Sequence, residues 1–170
     1  MLIKPQIIKV KDKVLYHPPI PSNMIVVIDT REQLPYMFSG CRILSKKLNA
    51  GDYSIEGWED KISIERKSAA DLYGSITQNR DRFERELEVL QDYKFKGLVI
   101  EEEELDLLCP EMYGRYIDCN SIYGSIISFE IKYGLNVYYG SRKRCENKIL
   151  NWFIYWMKMY GNGVNIGMEI

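Results

Sequence analysis

The chain holds a single histidine, His17, and its four cysteines, Cys41, Cys109, Cys119 and Cys145, include no C-x-x-C pair. Zinc modules draw on closely spaced Cys and His ligands, so zinc is excluded as the basis of fold or function. The cysteines read instead as reduced, mostly buried thiols. Long apolar runs are missing too. Stretches such as Leu98–Ile100 and Trp152–Met157 fall far short of the roughly 20 residues that cross a bilayer. The start, Met-Leu-Ile-Lys-Pro, lacks the apolar core of a secretory leader, which leaves a cytoplasmic location as the expectation. Nor is there an excess of positive charge: 23 Lys and Arg face 24 Asp and Glu, a net charge of −1. A protein held to nucleic acid by bulk attraction alone would be basic. Any such contact must therefore rest on a local patch, and carboxylates gathered around a metal would lower the total.

What is present fits a soluble globular protein: 170 residues, 46% hydrophobic and 28% charged. That is the length of one domain able to bury a core. Residues 1–23 read as an appended arm. It carries Lys4, Lys9, Lys11 and Lys13, then Pro18, Pro19 and Pro21, which exclude a regular helix. Ile7 to Leu15 suits an edge strand or short ribbon. The main domain spans 24–160, and the Gly/Asn-rich tail 161–170 is expected to fray.

Within the domain, Met24 to Ile28 predicts a strand buried on both faces. Arg42 to Leu48 alternates as a half-buried strand does. Residues 53–55 and 62–64 read as strands around a turn at Gly57. Ser68 with Asp71 fits a capping box and starts a helix. A second helix over 81–93 places Phe83, Leu87 and Leu90 on one face. Strand 97–100 follows, then the acidic run Glu101 to Glu104, a solvated run by type although Glu101 ends a buried strand and could lie near the cleft, and an irregular stretch over 105–120. Ser121 caps a helix with Ile122, Ile126, Phe129 and Tyr133 along one side. Strand 135–139 comes next, and Ser141 opens a last helix with an apolar stripe of Cys145, Ile149, Trp152, Trp156 and Tyr160. The order predicts an α/β domain, a central mixed sheet flanked by helices.

The chemistry concentrates between Gly51 and Asp71. Asp52 opens one strand, and Glu65 and Lys67 lie two apart on the next, hence on the same face. Two carboxylates can hold a hard divalent cation, which activates water and polarises a phosphoryl oxygen. A lysine beside them can orient that water or stabilise the developing charge. The spacing Asp-x12-Glu-x-Lys is the pattern of the PD-(D/E)XK nuclease superfamily. It is a loose pattern, shared with any solvated hairpin carrying surface ion pairs.

Further residues narrow it. Val27-Ile28-Asp29-Thr30-Arg31-Glu32, then Gly51-Asp52-Tyr53, then Ile64-Glu65-Arg66-Lys67-Ser68 with Asp71-Leu72, closely resemble the nuclease domain of XPF-type structure-specific endonucleases, whose pattern is D-x-R-E, G-D-Y and E-R-K-x-x-x-D. The resemblance covers roughly residues 24–160 and implies a restriction-endonuclease-like fold. It implies Asp52 and Glu65 as metal ligands for Mg2+, with Mn2+ able to substitute, and the Arg66 carbonyl as a third. Lys67 would be the catalytic lysine. Asp29 and Glu32 would add acidic groups to the cleft, while Arg31 and Arg66 would contact phosphate or order the carboxylates. Asp71 fits both a capping role and a place beside the active site.

Arg80, Arg82 and Arg85 could track a DNA backbone or form a solvated, ion-paired helix face. Lys143, Arg144 and Lys148 carry the same two readings. The apolar stripe on the last helix suits core or a dimer interface, since the family's nuclease domains pair as homodimers or heterodimers. The resembled proteins commonly carry a tandem helix-hairpin-helix module, and this sequence holds no counterpart. Either a partner supplies DNA recognition or substrate choice is broader. The expected activity is cleavage of branched, flap or fork DNA. The competing readings are a non-catalytic DNA-binding or scaffold subunit, against which the retained Asp29, Asp52, Glu65 and Lys67 argue, and a sequence-specific duplex nuclease, for which no base-reading element is evident.

Overall fold

The computed structural model describes residues 7–10, 13–107 and 118–161. Two antiparallel strands, β1 (Ile7–Val10) and β2 (Lys13–Tyr16), form a separate two-stranded sheet, the ribbon expected of the arm. The main sheet has six strands in the order β4-β3-β5-β6-β7-β8. They are β3 (Ile25–Ile28), β4 (Arg42–Ser45), β5 (Tyr53–Ile55), β6 (Ile62–Ser68), β7 (Phe95–Glu101) and β8 (Asn136–Tyr139). β5 runs antiparallel to β3 and β6, and the other neighbours are parallel. The sheet is mixed, as expected.

Helices cover both faces. α1 (Ala69–Ile76), α2 (Arg80–Leu90) and α4 (Cys119–Tyr133) lie on one side, with the short α3 (Glu104–Leu107) beside them. α5 (Arg142–Tyr160) covers the other. Strand alternation assigns the side chains. Ile62 and Ile64 enter the α5 core with Val26, Ile28, Tyr53 and Val99, whereas Leu98 and Ile100 join Leu72, Phe83, Leu87, Ile126 and Phe129 on the opposite side. Gly97 permits a close approach of sheet and helix: a Cβ there would meet the Ile64 side chain and the Trp152 ring, each at 2.8 Å.

Several boundaries differ from expectation for local reasons. β6 continues to Ser68, so Glu65 and Lys67 lie within the strand and Ser68 is both its last residue and the N-cap of α1. The Ser68 hydroxyl accepts from the Asp71 amide at 3.1 Å, which is the expected capping contact. β4 stops at Ser45 because the backbone beyond it turns inward, where the Leu48 amide donates to Asp29. α4 begins at Cys119, two residues before Ser121. Its cap is Asp118, whose carboxylate accepts from the Asn120 amide at 3.2 Å. Ser141 is the N-cap of α5 by position, without a side-chain bond. The stripe on α5 is core rather than free surface: Cys145, Ile149 and Trp156 are buried, and Trp152 and Tyr160 are half-buried against them. Tyr155 and Met159, on the adjacent face, are the exposed ones.

The arm ends inside the domain. The Tyr16 carbonyl accepts from the Asn147 and Asn151 side chains, and Ile20 is buried in the α5 core. His17 is buried, with Nδ1 2.8 Å from the Pro18 carbonyl. Cys145 is buried and Cys41 half-buried, both as free thiols. Lys4, Lys11, Cys109 and the tail beyond Gly161 lie outside the described residues. Among the described residues no helix is long and apolar enough to cross a membrane.

Candidate active site

Gly51 makes the site possible. Its φ is +74°, and a Cβ there would meet the Ser63 Oγ at 2.1 Å; only glycine takes that conformation in that space. Beyond it the Asp52 backbone joins the sheet. Its amide donates to the Ile64 carbonyl at 2.9 Å, and its carbonyl accepts from the Asp29 amide at 2.8 Å. Tyr53 pairs with Ile64 in antiparallel register, so one step outward Asp52 stands opposite Glu65. Tyr53 points into the α5 core, so Asp52 takes the other face, shared with Glu65 and Lys67.

Like charges directly opposite on a sheet repel, and the structure answers each carboxylate separately. Lys67 Nζ lies 2.8 Å from Glu65 Oε1. The Arg66 amide donates to Asp52 Oδ2 at 2.8 Å. For Asp52 this is not enough. Burial, and then the neighbouring Glu65 charge, push its carboxyl up to about 8. Lys67 is held the other way: burial opposes its charge, but Glu65, and further off Asp52 and Glu86, raise its affinity for the proton. Its ammonium also sits 4.8 Å from the Phe83 ring centre.

Asp52, Glu65 and Lys67 line one cavity of about 460 Å³, between the sheet and α2. Arg31, Arg82, Arg85 and Glu86 complete its charged wall. It is therefore an acidic floor under a basic rim.

Asp29 and Glu32 do not add carboxylates to this cavity; their positions are supporting ones. Asp29 is 2% exposed. Its Oδ1 accepts from the Arg31 amide at 2.8 Å and Nε at 2.7 Å, and its Oδ2 from Arg31 Nη2 at 3.1 Å and the Leu48 amide at 2.6 Å. Burial works against its charge, but these bonds outweigh it and hold the carboxyl below the usual range. Asp29 thus aims Arg31 at the cavity. Glu32 grips Arg66, accepting Nε at 2.9 Å and Nη2 at 3.0 Å. Burial likewise opposes the Glu32 charge, and the Arg66 bonds overcome it.

Arg66 alternates to the opposite face from Glu65 and Lys67. Its guanidinium reaches Glu101 at 3.4 Å, and Glu101 in turn takes Arg142 at 2.8 Å. Its side chain is therefore an internal brace rather than a phosphate contact. Glu101, Arg142 and Glu86 were not singled out as site residues from the sequence. Only the position of Glu101 at a strand end pointed toward the cleft; Arg142 gave no signal.

The basic candidates divide. Arg82 and Arg85 border the cavity, whereas Arg80 turns to α4, donating to Glu84 at 2.8 Å and Ser125 at 2.9 Å. Asp71 bonds Ser68 and lines the neighbouring depression around Gly74 and Asn79 instead. Arg144 and Lys143 are engaged by Glu103 and Glu146.

A divalent cation fits the donor set. Among the described residues no group of three or more His, Cys, Asp or Glu side chains is arranged to hold a metal. Mg2+ asks for less: one or two carboxylates, with waters and substrate oxygens filling the octahedron. Asp52, Glu65 and the Arg66 carbonyl are hard oxygen donors of that kind. Burial first, and the facing Glu65 second, give Asp52 its raised affinity for a proton, and a bound cation would offset both.

The whole-chain comparisons agree with the motif. No curated protein sequence matches significantly. The XPF protein of Aeropyrum pernix superposes with a TM-score of 0.62 at 20% identity, over 86% of this chain and 67% of that one. The same protein in complex with DNA gives a TM-score of 0.58 at 17% identity, over 84% and 68%. These likenesses establish the XPF nuclease-domain fold. The model of the ERCC4 domain matches residues 28–147, which takes in Asp29, Asp52, Glu65, Lys67 and the brace through Arg142, and the chain accordingly belongs to the ERCC4-domain family, as an XPF-type nuclease domain.

Proposed function

We propose that this protein is a metal-dependent endodeoxyribonuclease that hydrolyses phosphodiester bonds in branched, flap or fork DNA. One observation carries the reading: Asp52 stands opposite Glu65, with Lys67 Nζ 2.8 Å from Glu65, in a cavity rimmed by Arg31, Arg82 and Arg85. Asp52, Glu65 and the Arg66 carbonyl would hold Mg2+, or Mn2+ in its place. The ion, when bound, lowers the pKa of water and offsets charge on the phosphoryl oxygens.

The chain's own groups do the rest. Asp52 would hold the ion as a carboxylate, the proton that burial and Glu65 favour passing to solvent. Lys67, charged and held by Glu65, orients the attacking water and stabilises the charge that builds on the phosphate. Arg31, fixed by Asp29, contacts one flanking phosphate, and Arg82 and Arg85 follow the backbone on the α2 side. An acidic floor under a basic rim also reconciles DNA binding with a net charge of −1. DNA is bound by the similar Aeropyrum pernix protein, which supports DNA as the polymer. Pairing with a second nuclease domain, through the outward face of α5 around Tyr155 and Met159, and a role in DNA repair or recombination belong to the same reading.

The test is cleavage of a labelled panel of single strand, duplex, flap, fork and four-way junction, with Mg2+ or Mn2+ and Asp52→Asn as control. Metal-dependent cutting of branched DNA by the parent but not the variant is expected. Equal cutting by both sinks the site. Binding without cutting by a folded parent moves the protein to the scaffold class.

A further inference from the structure

Residues 33–38 follow Arg31 and Glu32, with four residues between them and the end of β3 at Ile28. Within this loop the side chains divide sharply. Tyr36 and Phe38 are buried, ringed around Tyr53 at 5.2 and 5.4 Å between centroids. Leu34 and Met37 stand in water, 64% and 76% exposed.

Exposed apolar side chains on a loose loop are ordinary. This loop is fastened along its length. The Leu34 amide donates to Glu32 at 2.7 Å. Arg142 Nη2 donates to the Leu34 carbonyl at 2.7 Å and the Pro35 carbonyl at 3.0 Å, while its guanidinium lies 4.7 Å from the Tyr36 ring centre. The Tyr36 amide donates to the Tyr53 hydroxyl at 3.2 Å, and the Phe38 amide to the buried Glu146 at 2.7 Å. Phe38 has φ 42°, the sole positive φ at a non-glycine position among the described residues. Such a conformation persists only where its surroundings over-determine it. The loop is therefore rigid, and what it presents rigidly is apolar.

We infer that Leu34 and Met37 form a fixed apolar wedge that packs against an unstacked nucleobase of the DNA in the cleft, at a branch point or fraying pair. The inference rests on the DNA-cleaving reading and deepens it. Continuity names the occupant: Leu34 is three residues from Arg31, so within roughly 11 Å of the cavity rim, a few nucleotide steps along a strand. Arg31 and Arg142, paired with Asp29 and Glu101 yet still about half or more open to solvent, lie beside this segment as donors for phosphate. Two side chains are far too little surface for a second protein, which needs about 800 Å² per partner. Opening a base step is unfavourable, and least so where pairing is already interrupted. A preset wedge adds little ordering cost of its own. It therefore favours branched over continuous duplex DNA without any base-reading element.

The test uses fork DNA with 2-aminopurine placed in turn at each position flanking the branch, and Ca2+ in place of Mg2+ to withhold cleavage. The parent is expected to raise fluorescence at one position, and the double variant Leu34→Ser/Met37→Ser to lose most of that rise. In Mg2+, the variant should favour a fork with a mismatched, already open branch over a paired fork by about tenfold more than the parent does, the scale of one lost base contact. An unchanged fluorescence rise with an unchanged preference overturns the wedge. So does a double variant that changes from dimer to monomer by sedimentation, because the patch then covers a second copy. Where the parent cuts nothing, the nuclease reading fails, yet the fluorescence arm still decides: a rise lost in the variant supports the wedge, and no rise overturns it. If the double variant melts early, each single substitution replaces it.

Discussion

Asp52 and Glu65 face each other across the β5–β6 pair, one step beyond the Tyr53–Ile64 register, and Asp52 keeps its proton to about pH 8. A folded carboxyl with a raised pKa binds a proton that the unfolded chain releases near pH 4. Stability is then fully present at acid pH and lost as pH rises toward 8. In chelator, the melting temperature of the parent should fall between pH 5 and 8.5, and Asp52→Asn should flatten that slope and melt higher at pH 8.5. Mg2+ or Mn2+ should restore the parent at high pH and leave the variant unmoved. The same proton competes with metal, so Mn2+ affinity measured by calorimetry should rise with pH, by up to about tenfold per unit, and level off above the pKa. A pH-independent affinity would show that Asp52 is not a ligand.

Arg66 supports the site from behind the strand. Its side chain lies between Glu32 and Glu101, themselves mostly buried. Arg66→Ala leaves Glu32 buried without its cation and Glu101 with Arg142 alone, a change that costs about 3–5 kcal/mol. Urea unfolding should register that loss. Arg66→Lys should recover only part of it, because an ammonium cannot give Glu32 the two parallel bonds of a guanidinium. Full recovery by lysine would mean that charge alone matters there.

How much of this was legible beforehand follows from what each contact depends on. Glu65 and Lys67 could be paired from spacing alone, because alternation on a strand is a property of the backbone. Asp52 required residue identity, a Gly-Asp-Tyr segment before the next strand. Asp29 was legible as a carboxylate ending an apolar strand but not as a buried anchor, since its partner Leu48 is brought back only by the turn after β4. Arg142 gave no sign, because Leu34, Pro35 and Glu101 converge on it from two distant segments. The caps failed and succeeded by the same rule: Ser68 has the first free amides of its helix within reach, whereas Asp118 precedes Ser121 and takes that place. The apolar stripe on α5 was read correctly as a pattern, and only tertiary packing could decide that Trp58, 5.7 Å from Trp156 by ring centres, covers it.

Lys67 is placed for chemistry more than for holding metal. It bonds Glu65 at 2.8 Å and lies over Phe83. Lys67→Ala should lower the single-turnover cleavage rate by on the order of 10²–10³, the effect of removing one group that stabilises developing charge. Mn2+ affinity should stay close to that of the parent, because the variant loses a positive charge that competes with the ion. A large loss of Mn2+ binding instead would make Lys67 a structural partner of Glu65.

Arg85 and Arg80 lie on one helix and make opposite predictions. Arg85 borders the cavity. Arg80 is tied down by Glu84 and Ser125 on the α4 side, with its guanidinium 5.1 Å from the Phe129 ring centre. A phosphate contact contributes affinity regardless of sequence and adds roughly one to the slope of binding against salt. Arg85→Ala should weaken binding to every DNA in the panel by a similar factor and reduce that slope by about one. Arg80→Ala should leave the slope unchanged and act on stability, through the lost contacts to α4. Titrations of labelled fork DNA at several salt concentrations separate the two. A reduced slope for Arg80→Ala would move the DNA path from the cavity rim toward α4.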